Sequence, residues 1–183
     1  MFDILYHSEP APSGGAGKGE KRDMFKKFGE FDSWEELNKA AEGQKAEGDL
    51  EALKALAIEN GFEEADAEDY MDGVVPEFCT PLLAANCKVG MEKKNLNPEG
   101  IMIDWCDYIA QLISEDPDVC LAVRKKGKSL KGCIGQLLKW GKDHMKDVNP
   151  DIKKAAGFSG DVKLGMPGTL EARKIIKEYY LGR

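Results

Sequence analysis

Apolar residues recur three and four positions apart along most of this chain, and a capping side chain stands in front of nearly every such stretch. That period belongs to the α-helix, so the chain is expected to fold as a series of short amphipathic helices. Asp32-Ser33-Trp34-Glu35-Glu36 opens the first, with Ser33 as N-cap and Glu36 as its reciprocal partner, and Trp34, Leu37 and Ala41 share a face. Asp49 caps a second helix with a buried stripe of Leu50, Leu53, Leu56 and Ala57; Asn60-Gly61 ends it in the left-handed conformation that glycine tolerates. A third, near residues 65–71, stops at Gly73.

Val74-Val75-Pro76 is read as the start of the next helix, followed at helical spacing by Phe78, Leu82, Ala85 and Val89. Asn97-Pro98-Glu99 begins another, whose apolar face is Ile101, Trp105, Tyr108, Ile109 and Leu112, ending before Pro117. Ser129 caps a helix expected over residues 130–145 and stopped by Pro150; Leu130, Cys133, Ile134, Leu137, Leu138, Trp140 and Met145 fall within one arc of it. After a short helix at 151–156, residues 161–168 read as an extended piece paired with a strand at residues 2–6. Thr169 caps the last helix, with Ala172, Ile175, Ile176, Tyr179 and Tyr180 inward. The expected fold is mainly α, a multi-helix domain with at most one small two-stranded sheet. Residues 1–29 form a short strand and a flexible Gly/Pro-rich arm, 30–73 an acidic three-helix subdomain, and 74–183 the main helical domain with a basic C-terminal half.

Charge is sorted along that organisation. Residues 30–79 hold sixteen Asp and Glu against three Lys, a net of −13, whereas residues 121–183 hold fifteen Lys and Arg against six acids, a net of +9. One end repels nucleic acid and the other attracts it, a polarity suited to engaging macromolecules rather than enclosing a small substrate.

Several chemistries find no support in the residues. The five cysteines, Cys79, Cys87, Cys106, Cys120 and Cys133, are odd in number and scattered among apolar neighbours, so they read as small buried hydrophobes in a reducing cytosol. Residues 1–7 are too short and acidic for a signal peptide, and no apolar run reaches membrane-spanning length, so a cytoplasmic protein is expected. Ser13-Gly-Gly-Ala-Gly-Lys18-Gly19 departs from a phosphate loop at both ends, with Pro12 in place of the first glycine and Gly19 in place of the magnesium-binding hydroxyl. The carboxylates at residues 66–73 lack the alternation of a calcium loop. His144, on the apolar arc, reads as a packed histidine, and a pairing with Cys133 has no further support. No catalytic residue, metal or cofactor is therefore assigned.

Binding surfaces are assigned instead. On the acidic subdomain they are Glu63, Glu64, Glu68 and Asp69, near a helix end. On the basic half, Lys131, Lys139, Lys142 and Lys146 lie beside the apolar arc with Gly135 among them, a stripe that lets a phosphate backbone or an acidic partner approach. Arg124, Lys125, Lys126 and Lys128 extend the charge into the preceding loop, at the positive end of the helix dipole. Arg173, Lys174 and Lys177 share the outer face of the last helix, so two basic faces flank one connection, loosely like a helix-turn-helix.

Lys128-Ser-Leu-Lys-Gly-Cys-Ile134 with Leu138-Lys-Trp140, then Val162-Lys-Leu-Gly-Met-Pro-Gly168 and Ile175-Ile-Lys-Glu-Tyr-Tyr-Leu-Gly182, resembles the C-terminal signature of PcfK-like proteins of bacterial mobile elements. That group includes inhibitors of the RNA-guided nuclease of type II CRISPR systems. The resemblance covers the last third of the chain and implies a binding protein without catalytic residues. Its expected partner is the nuclease, with or without guide RNA, and DNA or RNA besides. The alternative is a nucleic-acid-binding accessory of plasmid or transposon transfer.

Overall fold

In the computed structural model, which describes residues 24–182, nine helices and one two-stranded sheet follow in order. They are α1 (Trp34–Glu47), α2 (Leu50–Glu59), α3 (Glu64–Met71), α4 (Pro81–Leu96), α5 (Ile101–Glu115), α6 (Pro117–Arg124), α7 (Leu130–Asp143), β1 (Lys146–Asp147), α8 (Pro150–Ala155), β2 (Lys163–Leu164) and α9 (Thr169–Leu181). The mainly helical class is thus as the periodicity requires. Ser33, Asp49 and Ser129 cap α1, α2 and α7 by accepting from the backbone N–H of Glu36, Ala52 and Gly132.

Boundaries differ where a second signal competes. The segment at residues 74–80 is not helical; Thr80 caps α4 with Pro81 in its first turn, and Phe78 reaches the core from the irregular stretch before it. Leu82, expected inward, is therefore 45% exposed. Pro117 begins a helix rather than ending the region, because Asp116 caps α6 through the N–H groups of Asp118 and Val119. Gly168, not Thr169, is the N-cap of α9. β2 pairs antiparallel with β1, Lys146 opposite Leu164 and Asp147 opposite Lys163, whereas the partner expected from the sequence was an N-terminal strand. That strand at residues 2–6, and the glycine-rich stretch after it, lie outside the described residues.

Two apolar cores form. Leu37, Leu53, Leu56, Phe62, Tyr70, Phe78 and Ala84 build the first, where the Phe78 ring lies 4.8 Å from Phe62 and 5.8 Å from Tyr70. Truncating such a ring to alanine costs about 3–5 kcal/mol. Ala85, Val89, Trp105, Ile109, Val123, Leu137 and Ile176 contribute to the second. The division expected after residue 73 is displaced, since Phe78, Cys79 and Ala84 all belong to the first core. Helix α4 is the shared wall. Gly61 lets α2 come close to it: at φ +90 it takes a conformation open to glycine, and a Cβ there would strike the carbonyl of Cys87.

Between the cores runs a polar seam. The Lys88 ammonium, fully buried, donates to Glu30 Oε1 at 2.7 Å and to the Lys125 carbonyl at 3.3 Å. Arg124, 1% exposed, donates through Nη2 to Asn60 Oδ1, and Asn60 is itself held by the Leu56 carbonyl at 2.8 Å. Glu30 Oε2 accepts from the Gly127 N–H at 3.1 Å and Asp32 from the Lys126 N–H at 3.0 Å. These contacts tie the N-terminal acidic segment to the loop before α7.

Candidate interaction surfaces

The carboxylates assigned to the acidic surface all face solvent around α3. Glu63 and Asp66 form a reciprocal capping box that starts the helix. Glu68 is paired with Lys54 at 2.6 Å and Glu64 lies 3.7 Å from the same ammonium, whose pKa the Glu68 hydrogen bond raises. Lys54 mutes part of this cluster through Glu64 and Glu68. A second acidic group was not singled out from the sequence. Glu35 and Glu42, two turns apart on α1, converge with Glu77 on a 460 Å³ groove that also holds Trp34, Asn38 and Tyr70. The seven-residue spacing of Glu35 and Glu42 was readable; the arrival of Glu77 depends on the chain's return after α3.

The basic assignments divide sharply. Lys131, Lys139, Lys142 and Lys146 are exposed and make no ion pair among the described residues. Nothing lies within 4 Å of a Cβ placed on Gly135, so the surface between Lys131 and Lys139 is open. Lys125 and Lys126 are exposed beside them. Arg124 is not part of this face; it ends α6 inside the seam. Lys128 is half-buried and turned back onto α9, donating to the Tyr179 carbonyl at 2.6 Å with its ammonium over the ring.

On α9 the expected second basic face is neutralised. Arg173 is paired with Glu115 and hydrogen-bonded to Gln111, and Lys177 is paired with Asp116 at 2.8 Å. The Lys177 hydrogen bond holds the Asp116 carboxyl below its ordinary value. Lys174 lies 3.9 Å from both Glu171 and Glu178. A recognition surface spanning α7 and α9 is therefore not assembled; the assigned cations left exposed and without an ion pair among the described residues are Lys131, Lys139 and Lys142 on α7, Lys146 on β1, and Lys125 and Lys126 in the loop before α7.

Beside the lysine stripe is a 390 Å³ apolar groove, walled by Leu96, Met102, Lys131, Ile134, Gly135 and Leu138. Leu138, expected in the core arc, is 52% exposed here, and Met145 is 56% exposed because α7 stops at Asp143. His144 is likewise exposed; it stacks on Trp140 with ring centroids 4.1 Å apart and its Nδ1 lies 2.8 Å from the Trp140 carbonyl.

All five cysteines are free, and burial pushes the Cys79 and Cys133 thiols up to about 12 and the Cys87 thiol to about 11. None of these is a thiolate nucleophile near neutrality. Among the described residues no group of three His, Cys, Asp or Glu side chains is arranged to hold a metal ion, and no helix is long and apolar enough to cross a membrane. No protein-family model, curated protein or solved structure matches the chain.

Proposed function

We propose that the protein is a non-enzymatic inhibitor resembling anti-CRISPR proteins, which binds the guide-loaded nuclease of a type II CRISPR system in the bacterial cytoplasm and blocks capture or cleavage of its DNA target. The observation that carries this reading is the solvent-facing acidic surface of the N-terminal half. Its carboxylates occur in two clusters, around α3 and in the groove of Glu35, Glu42 and Glu77. Nucleases of this kind hold nucleic acid in a positively charged channel, and a folded acidic surface is complementary to such a channel. The likeness of the C-terminal motifs to PcfK-like proteins supports the same reading. A cleavage assay with purified nuclease tests it, adding the protein before or after the guide-loaded enzyme meets target DNA. Inhibition only when the protein is added first marks competition with DNA; absence of inhibition in either order refutes the reading.

The unpaired lysines of α7, with Lys146 of β1, favour a second reading, a nucleic-acid-binding accessory of plasmid or transposon transfer. Lys131, Lys139, Lys142 and Lys146 form an open row with no internal counter-charge among the described residues, as a phosphate-tracking surface requires. Affinity for bare DNA equal to or above that for the guide-loaded nuclease would select this reading.

A further inference from the structure

Arg124 has one hydrogen-bond partner among the described residues, the neutral amide oxygen of Asn60. Its Nε and Nη1 have none, although the residue is only 1% exposed. A buried guanidinium with two of its three nitrogens unpartnered is an arrangement that folded proteins rarely keep without a counter-ion or bound group.

The carboxylates whose fields reach it are already engaged. Glu30 binds the Lys88 ammonium through Oε1 and the Gly127 N–H through Oε2. Glu92 accepts from the Leu130 N–H at 2.7 Å, and burial raises its pKa toward the neutral form. Glu30 is thus spent on Lys88 and the Gly127 N–H, and among the described residues no carboxylate hydrogen-bonds Arg124. The guanidinium has no counter-ion in contact with it.

Phe25 covers this position. Its ring lies 5.7 Å from the Arg124 Cζ and 5.9 Å from the Lys88 Nζ, so its π-face attracts both cations while offering no oxygen acceptor to either. The backbone at Phe25 has φ +58, a strained conformation for a bulky residue. The Lys27 and Phe28 N–H groups tether the strap to the Glu59 carboxylate. Phe25 also lines a 520 Å³ cavity together with Glu30, Glu92, Asn95, Gly127 and Lys131.

We propose that Arg124 is the floor of a binding site for a small monovalent carboxylate, entered from this cavity when the Phe25 ring swings aside. A carboxylate supplies the missing counter-ion and strong acceptors for guanidinium N–H groups. A dianion such as phosphate is larger and is opposed more strongly by Glu30, which lines the same cavity. This site is independent of the nuclease reading, because it concerns the seam and not the outer charged surfaces.

The test follows the arginine Nε–H resonances of the 15N-labelled full chain during titration with sodium acetate, at constant ionic strength maintained with sodium chloride. The Arg124 signal, assigned by its loss in Arg124→Met, is expected to move saturably with acetate, much less with phosphate, and not with chloride. Phe25→Ala removes the cover without touching the guanidinium and should tighten apparent affinity several-fold, since a larger fraction of molecules is then open. Asn60→Asp places a carboxylate on the guanidinium and should abolish the acetate response; it also assigns the signal should Arg124→Met fail to fold. An Arg124 signal that ignores acetate in both wild type and Phe25→Ala overturns the proposal. So does an equal response to acetate and phosphate.

Discussion

Gly141 and Gly165 approach so closely that a Cβ on either would collide with the carbonyl oxygen of the other. This contact docks the segment containing β1, α8 and β2 against the C-terminal end of α7, and no larger residue fits. The segment has little other anchorage: Ile152, Phe158 and Leu164 are each about 60% exposed. Gly141→Ala should therefore loosen this arm first. Overpacking of this kind costs roughly 1–3 kcal/mol. The expected outcome is faster amide exchange over residues 146–164, with exchange in α5 and α6 little changed. Uniform acceleration across the chain would mean that the contact belongs to the main core.

Lys88 and Glu92 lie one turn apart on α4, and their titrations run in opposite senses. Burial raises the Glu92 pKa, so the folded state binds its proton more tightly than the unfolded chain does. Its contribution to stability is then fullest below the ordinary carboxylate value of 4.5 and is lost as pH rises through the folded value. Glu92→Gln, which keeps an acceptor for the Leu130 N–H, should raise the melting temperature at pH 7. That advantage should shrink as the pH falls toward 4.5. An advantage that is constant with pH would show that Glu92 is not perturbed.

Removing the Lys88 ammonium should be costly, because the side chain is fully buried and its partner Glu30 would lose its counter-charge. Breaking a buried pair from one side costs about 3–5 kcal/mol, and Lys88→Ala should fall near the lower end since Glu30 retains 22% exposure. Urea unfolding gives the figure directly. A loss within experimental error would demote the pair to a packing detail.

Reversal of Glu63, Glu64, Glu68 and Asp69 to lysine should weaken binding to the guide-loaded nuclease in a protein that still folds. Solvent screens the Lys54 pairs, whose loss should cost little, and loss of the Glu63 cap adds about 1 kcal/mol. Circular dichroism should retain its helical signature while affinity drops. Full inhibition by the folded variant would move the interface away from α3, and Glu35, Glu42 and Glu77 are then the next charges to reverse.

The lysines of α7, with Lys146 of β1, make a quantitative prediction for duplex DNA. Four phosphate contacts by Lys131, Lys139, Lys142 and Lys146 correspond to a slope of log affinity against log salt near −3.6, at roughly 0.9 per contact. Replacing Lys139 and Lys142 by Gln should flatten it by about half. The α9 cations, Arg173, Lys174 and Lys177, should contribute little because acids already hold them. A flat salt dependence in the wild type would leave the stripe as solvated charge.

Local signals were legible in the sequence; tertiary pairings were not. Ser33, Asp49 and Ser129 cap helices because that chemistry involves only the next three residues. Helix α6 was missed because Pro117 ends one helix pattern and starts another, and only the Asp116 cap distinguishes the two. Arg124 was read as part of a basic surface because its partner, Asn60, stands 64 positions away, and Lys88 was not singled out because Glu30 stands 58 positions away. For the same reason the α9 cations looked free: Glu115 and Asp116 reach them only after α5 and α6 have folded against α9. Periodicity placed Leu138 in the core, yet it is 52% exposed beside the groove on that side of α7.

Ala84 packs into one core and Ala85, its immediate neighbour, into the other. A recombination event that traded the acidic end of this molecule for another would have to cut the chain somewhere, and the apparent border after Gly73 is the wrong place. A cut there would strip Phe78 and Ala84 from the core they complete and leave Lys88 facing an unrelated segment in place of Glu30. The acidic and basic ends are therefore not interchangeable parts, because α4 completes the core of each.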